Sequence, residues 1–170
     1  IFRRYGDRVA LVEVPFNDHA THKLIYGMLR DGSAKRSPVT FQLLQFVNKL
    51  IFRWTWLLWL QLTCNYVVLD RWTLSAVVYG DATGTNWFMN RLIYRLLPCP
   101  DVTIVLHGQS HHRSTQADSY ERSGSLQELV RRGYHDWVME HPFDCELIDN
   151  QGTTDEVHER IMNVVKGMQL

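Results

Sequence analysis

The sequence predicts an α/β fold in which a parallel sheet is flanked by helices on both faces. Short apolar, β-branched runs alternate with stretches of helical periodicity along the 170 residues. The central run, Tyr66-Val67-Val68-Leu69, has the composition of a strand covered on both faces. It ends directly in Asp70-Arg71, an acid and a base at the strand end where open α/β sheets bind their ligands. The same pair also reads as a strand-end salt bridge.

Taken in order, Arg8 to Val14 forms a first strand, closed by Pro15, which cannot donate to a central ladder. Thr21 to Leu29 carries Leu24, Ile25, Met28 and Leu29 at helical spacing, and Asp31-Gly32-Ser33 stops that helix. Pro38 opens the next helix, which is expected to run from about Val39 to Leu60 or Leu62 and to be largely buried. After the central strand, a helix begins over Ser75 to Tyr79 and breaks at Gly80-Asp81-Ala82-Thr83-Gly84. Trp87 to Leu97 reads as a further helix ended by Pro98-Cys99-Pro100. Asp101 to Leu106 is a buried strand, with His107-Gly108 at its carboxyl end. A polar segment follows, then a helix over Leu126 to Met139 with Leu126, Leu129, Val130 and Trp137 on or near one face. Cys145 to Ile148 is the last strand, and Thr153 or Thr154 caps the last helix. Three or four strands make a thin sheet. A partner strand is expected upstream of Ile1, where the chain opens Ile1-Phe2-Arg3-Arg4 without an initiator methionine.

Composition narrows the function classes. Eighteen basic and eighteen acidic residues balance, so no global field draws the chain to nucleic acid or anionic membrane. Cys64, Cys99 and Cys145 are odd in number and far apart, a usage that suits a reducing, cytoplasmic setting. The Leu- and Trp-rich stretch from Leu50 to Leu69 has span length but contains Arg53, Gln61, Thr63 and Asn65, which argues against a membrane helix. His107, His111 and His112 form the one metal-like cluster. They lack the ligand spacing of a zinc site and read as loop histidines.

The order of motifs resembles the thymidylate kinase family of P-loop nucleoside monophosphate kinases, from Val9 to the end of the chain. Asp70-Arg71-Trp72 with Ser75 and Tyr79 downstream is similar to that family's Asp-Arg-aromatic signature. Pro100-Asp101-Val102-Thr103-Ile104-Val105-Leu106 resembles one of its strands, and Asp118-Ser119-Tyr120-Glu121 the close of its lid. Glu146-Leu147-Ile148-Asp149 and then Glu156-Val157-His158-Glu159-Arg160-Ile161 resemble its last strand and helix.

The resemblance implies a single nucleoside monophosphate kinase-like domain over residues 1–170, with a lid-like segment at about 108–125. Its three-layer architecture would have the P-loop strand outside these residues. The implied reaction transfers the γ-phosphate of ATP, with Mg²⁺, to dTMP or a related deoxynucleotide, and such chemistry relies on positioning and charge neutralisation. Asp70 would hold the metal or its waters, and Arg71 would fork onto the acceptor phosphate. Phe46 would stack on the acceptor base, with Lys49 as a nearby cation, Ser75 in the signature and Tyr79 lining the sugar side. Arg113 and Arg122 would meet the transferring and donor phosphates from the lid. A homodimer through the Trp-rich helix over residues 39–62 is implied as well.

The sequence also departs from the family pattern. No Gly-x-x-x-x-Gly-Lys-Ser/Thr loop occurs in it. Asn17 lies near the place of a catalytic arginine, Leu50 matches a position that is often arginine, and Gly80 one that is often glutamine. Two alternatives therefore stand beside the monophosphate kinase: a non-catalytic kinase-fold subunit of a larger assembly, and a deoxynucleoside kinase.

Overall fold

The computed structural model describes residues 8–17, 19–85, 91, 94–108, 120 and 124–167. Its elements in chain order are β1 (Val9–Glu13), α1 (Ala20–Asp31), α2 (Ser33–Arg36), α3 (Pro38–Phe52), a π-helical turn (Arg53–Leu57) and α4 (Leu58–Thr63). There follow β2 (Tyr66–Asp70), α5 (Thr73–Ala82), β3 (Thr103–His107), α6 (Gly124–Glu140), β4 (Cys145–Asp149) and α7 (Thr154–Gly167).

The four strands among the described residues pair in parallel, in two separate ladders. β1 runs beside β2 from Val9↔Tyr66 to Glu13↔Asp70, and β3 beside β4 from Thr103↔Cys145 to His107↔Asp149. Among the described residues each strand has one ladder partner. The single sheet expected from the sequence is thus split. The strands are also less covered than expected, because Tyr66 to Leu69 are only half-buried and Leu11 is exposed.

What joins the halves is α5. Leu74 and Val78 enter a core with Ile25, Phe41, Val105, Val130 and Cys145. Trp72, Ala76 and Val77, at and on the same helix, enter a second core with Val14, Phe46, Phe52 and Leu57. The helix therefore does not break at Gly80: that residue is buried, and the turn continues to Ala82 before the Thr83 hydroxyl donates back to the Tyr79 carbonyl at 2.8 Å.

The other helix ends follow local chemistry. Gly32, at φ 73°, supplies the left-handed turn that closes α1. Pro38 opens α3, where its missing N–H costs nothing. Thr153 and Glu156 form a reciprocal capping box at α7, with the Thr153 N–H donating to Glu156 Oε2 at 2.7 Å and the Glu156 N–H to Thr153 Oγ1 at 3.3 Å.

The long helix from Pro38 to Thr63 departs from expectation in which face it buries. Gln42, Asn48 and Lys49 point inward, while Val39, Leu43, Trp54, Leu58, Trp59 and Leu62 are exposed, Trp54 at 66 % and Leu62 at 86 %. Partners distant in sequence satisfy the polar groups inside. Asn48 accepts from the Phe16 N–H at 2.7 Å and donates to the Phe16 carbonyl at 3.0 Å and to Thr21 Oγ1 at 2.8 Å. On α6, likewise, Leu126 and Val130 are buried but Leu129 is exposed. The helix anticipated over Trp87 to Leu97 falls largely outside the described residues.

Candidate functional site

Parallel pairing brings the carboxyl ends of the strands to one edge of each ladder, and β2 delivers Asp70 there. In the register Glu13 lies directly beside Asp70, and the Val14 N–H donates to the Asp70 carbonyl at 2.9 Å. In-register parallel neighbours lie about 4.8 Å apart and point to the same side. Two exposed carboxylates are thus held next to one another at the strand ends. Nothing local in the sequence marks Glu13, because only the β1–β2 pairing places it there.

Arg71 is the single non-glycine residue with positive φ among the described residues, at 67°. For a long side chain this is a costly conformation of the kind that gathers at functional sites. It turns the chain sharply between β2 and α5, and Arg71 is exposed at the strand end. The chain after it is anchored by Trp72, whose Nε1 donates to the Pro98 carbonyl at 3.0 Å.

One helical turn apart on α5, Ser75 and Tyr79 share a face. Ser75 Oγ accepts from the Tyr134 hydroxyl at 2.8 Å, and the Tyr79 ring stacks on Tyr120 at 5.7 Å with 8° between planes. Burial, with Tyr79 and Asp70 nearby, pushes the Tyr134 phenol up to about 12 against the pull of Ser75 and Arg71. Tyr134 therefore sits in the electrostatic reach of Asp70, Arg71, Ser75 and Tyr79, and these five residues make one neighbourhood. No signal in the sequence marks Tyr134 as a member.

Phe46 and Lys49 lie on α3 in a second group. The Phe46 ring is 9 % exposed and meets Tyr94 edge-on at 6.0 Å. Lys49 is 2 % exposed, with Nζ donating to Gln45 Oε1 at 3.1 Å and standing 5.8 Å from the Tyr94 ring centre. Desolvation lowers its amine from the ordinary 10.5 to about 7. The Tyr94 hydroxyl donates to Gln42 Oε1 at 3.1 Å, and burial raises that phenol too. Phe46 shares its core with Trp72 and Ala76, so this group backs onto the first across α3 and α5. Both residues expected at the acceptor are inside the fold, and Phe46 already has an aromatic neighbour.

Arg113 and Arg122, with His111 and His112, lie outside the described residues. Among those described, no three His, Cys, Asp or Glu side chains gather as a metal cluster. Asp70 with Glu13 fits Mg²⁺ nonetheless, because that ion is commonly held through one or two carboxylates with water and substrate phosphate completing the shell.

No protein-family model matches the sequence. The fold, however, matches solved thymidylate kinases. The enzyme from Candida albicans superposes with a TM-score of 0.72 at 22 % identity, over 94 % of this chain and 80 % of that one. The thymidylate kinase from Ehrlichia chaffeensis superposes with a TM-score of 0.73 at 16 % identity, over 97 % of this chain and 84 % of that one. The chain thus has the fold of thymidylate kinases, in agreement with the α/β, P-loop kinase-like architecture expected from its sequence.

Proposed function

We propose that this chain is a nucleoside monophosphate kinase of the thymidylate kinase type, with dTMP or a related deoxynucleotide as acceptor and ATP as donor. The observation that carries the reading is Arg71, set at positive φ beside Asp70 at the end of a parallel strand, with Ser75 and Tyr79 on the helix that follows. A phosphoryl acceptor needs a cation at its phosphate, and an exposed guanidinium at the strand end is suited to that role. Mg²⁺, held by Asp70 with Glu13 beside it, would neutralise charge on the phosphate oxygens. Ser75 and Tyr79 orient the acceptor from α5. Lys49 and Phe46 act from behind, shaping the wall of the base side rather than touching it.

The 170 residues hold no Gly-Lys-Ser/Thr loop, so in this reading the donor phosphates are met by cations of the lid-like segment. Arg113 and Arg122 of the lid-like segment are proposed to reach the donor phosphates. The protein pairs with a second copy through the exposed apolar stripe of the long helix. It works in a reducing compartment such as the cytoplasm, to which its three free thiols are suited. No described helix is long and apolar enough to cross a membrane.

The test is a transfer assay with ATP and Mg²⁺ over dTMP, dUMP, dCMP, dGMP and thymidine. Asp70→Ala is expected to lower turnover at least a hundredfold with unchanged melting temperature. Near-normal turnover of that variant would remove Asp70 from the mechanism. A second reading, the non-catalytic kinase-fold subunit, is favoured by the burial of Phe46 against Tyr94. It predicts that no acceptor is phosphorylated. Phosphorylation of thymidine in preference to dTMP would select the deoxynucleoside kinase.

A further inference from the structure

Asn48 is 0 % exposed on α3, and none of the roles assigned to its neighbours Phe46 and Lys49 uses its side chain. Its carboxamide grips one residue of the chain that leaves β1. Oδ1 accepts from the Phe16 N–H at 2.7 Å, and Nδ2 donates to the Phe16 carbonyl at 3.0 Å. The second Nδ2 hydrogen goes to Thr21 Oγ1 at 2.8 Å. This pattern holds the amide in one sense, because turning it over would set its NH2 against the Phe16 N–H. Thr21 lies in the first turn of α1, capped by His19, whose Nδ1 is 3.1 Å from Thr21 Oγ1. One side chain therefore ties the chain down both where it leaves β1 and where it enters α1.

Just ahead of Phe16 stands the carboxylate pair. Glu13 is the last residue of β1 and lies beside Asp70 in the last rung of the ladder. Among the described residues β1 has β2 as its one ladder partner, and the end of such a strand opens at little cost. Only Val14 and Pro15 separate Glu13 from Phe16. Val14 is 2 % exposed with its N–H bonded to the Asp70 carbonyl, and the Pro15 ring restricts φ. The connector has little slack. The Phe16 ring rests on Phe52 at 5.1 Å, which settles where the residue lies. The two bonds from Asn48 settle how its peptide groups are turned, and with them the direction in which the chain runs back to Glu13.

We propose that Asn48 is a positioning residue for the metal pair, clamping the Phe16 main chain so that the Glu13 carboxylate stays beside Asp70. It touches neither metal nor substrate and acts through the backbone. The inference rests on the reading of Asp70 and Glu13 as the holders of Mg²⁺.

The test is titration with Mn²⁺ as the probe, followed by electron paramagnetic resonance of the free ion, which needs no turnover. The wild type is expected to bind saturably, Asp70→Ala to lose binding, and Asn48→Ala to weaken it about fivefold or more. Thr21→Val keeps both Phe16 bonds, so it is expected to lower the melting temperature and leave Mn²⁺ affinity as in the wild type. In a Glu13→Gln background, Asn48→Ala should add no further loss, because it acts through that carboxylate. If Asn48→Ala does not fold, Asn48→Asp takes its place: it keeps the bond from the Phe16 N–H, loses the one to the carbonyl, and should also weaken binding. Wild-type affinity in the folded Asn48 variant, or an equal loss in Thr21→Val, would overturn the positioning role while Asp70→Ala still marks the metal pair. Mn²⁺ binding that is absent from the wild type, or indifferent to Asp70→Ala, would remove the pair itself and the proposal with it.

Discussion

The Tyr134 hydroxyl donates to Ser75 Oγ at 2.8 Å across 59 residues of sequence, tying α6 to the first turn of α5 just after Asp70 and Arg71. A part-buried bond of this kind is worth about 1 kcal/mol net. It fixes the rotamer of the serine proposed to face the acceptor. Tyr134→Phe is therefore expected to lower stability by about 1 kcal/mol and to raise KM for the acceptor several-fold while kcat falls less. Denaturant unfolding and steady-state kinetics on the same preparation check both parts.

Lys49 makes the stability depend on pH. Its folded pKa, about 7, lies below the ordinary 10.5, so the unfolded chain binds more protons between those values and stability rises with pH across that window. Below about pH 7 the amine is protonated in both states and its full burial cost is present. Lys49→Met should then stabilise the protein at pH 6 by roughly 3–5 kcal/mol, from the size of the shift. The gain should shrink by pH 9, and melting curves of both proteins at pH 6, 7.5 and 9 measure it. A gain independent of pH would mean that packing, not charge, is responsible.

Asn48 is 0 % exposed and holds the loop after β1 onto α3 through Phe16 and Thr21. Asn48→Ala leaves the Phe16 N–H and carbonyl and the Thr21 hydroxyl without their partner. The expected loss is about 3 kcal/mol, since each buried unpaired group costs about 1–3. Asn48→Asp can still accept from Phe16 but cannot donate, and should also destabilise. Chemical denaturation distinguishes the two by midpoint.

How much of this was legible in the sequence depended on range. Asp70 and Arg71 could be placed because a strand end is written in adjacent residues, and Ser75 and Tyr79 because i,i+4 spacing defines a helix face. The orientation of the long helix could not. Its apolar positions Val39, Leu43, Trp54, Leu58 and Leu62 argue for the inside, yet Gln42, Asn48 and Lys49 took it, because Tyr94, Phe16 and Thr21 were waiting there. Glu13 beside Asp70, and Tyr134 on Ser75, are likewise products of pairing and packing that no local pattern carries. At Gly80 a local breaker lost to burial in the core.

The outward stripe gives the proposed pairing of two copies a direct check. Apolar area of this kind on a helix is more favourable covered than wet, at about 25 cal/mol per Å². Leu58→Glu/Leu62→Glu is expected to convert a dimer to a monomer in sedimentation velocity, with the fold retained. A wild-type protein that sediments as a monomer at 100 μM would refute the pairing.

Arg71, at the end of β2, is proposed to receive the phosphate of a nucleoside monophosphate. The most direct measurement is calorimetric titration of dTMP into the wild type and Arg71→Ala, with thymidine as the phosphate-free comparison. Saturable dTMP binding is expected, at least tenfold weaker in Arg71→Ala, with thymidine weak and equal in both proteins. Equal dTMP affinity in the two proteins, or no binding of any nucleoside monophosphate, would contradict it.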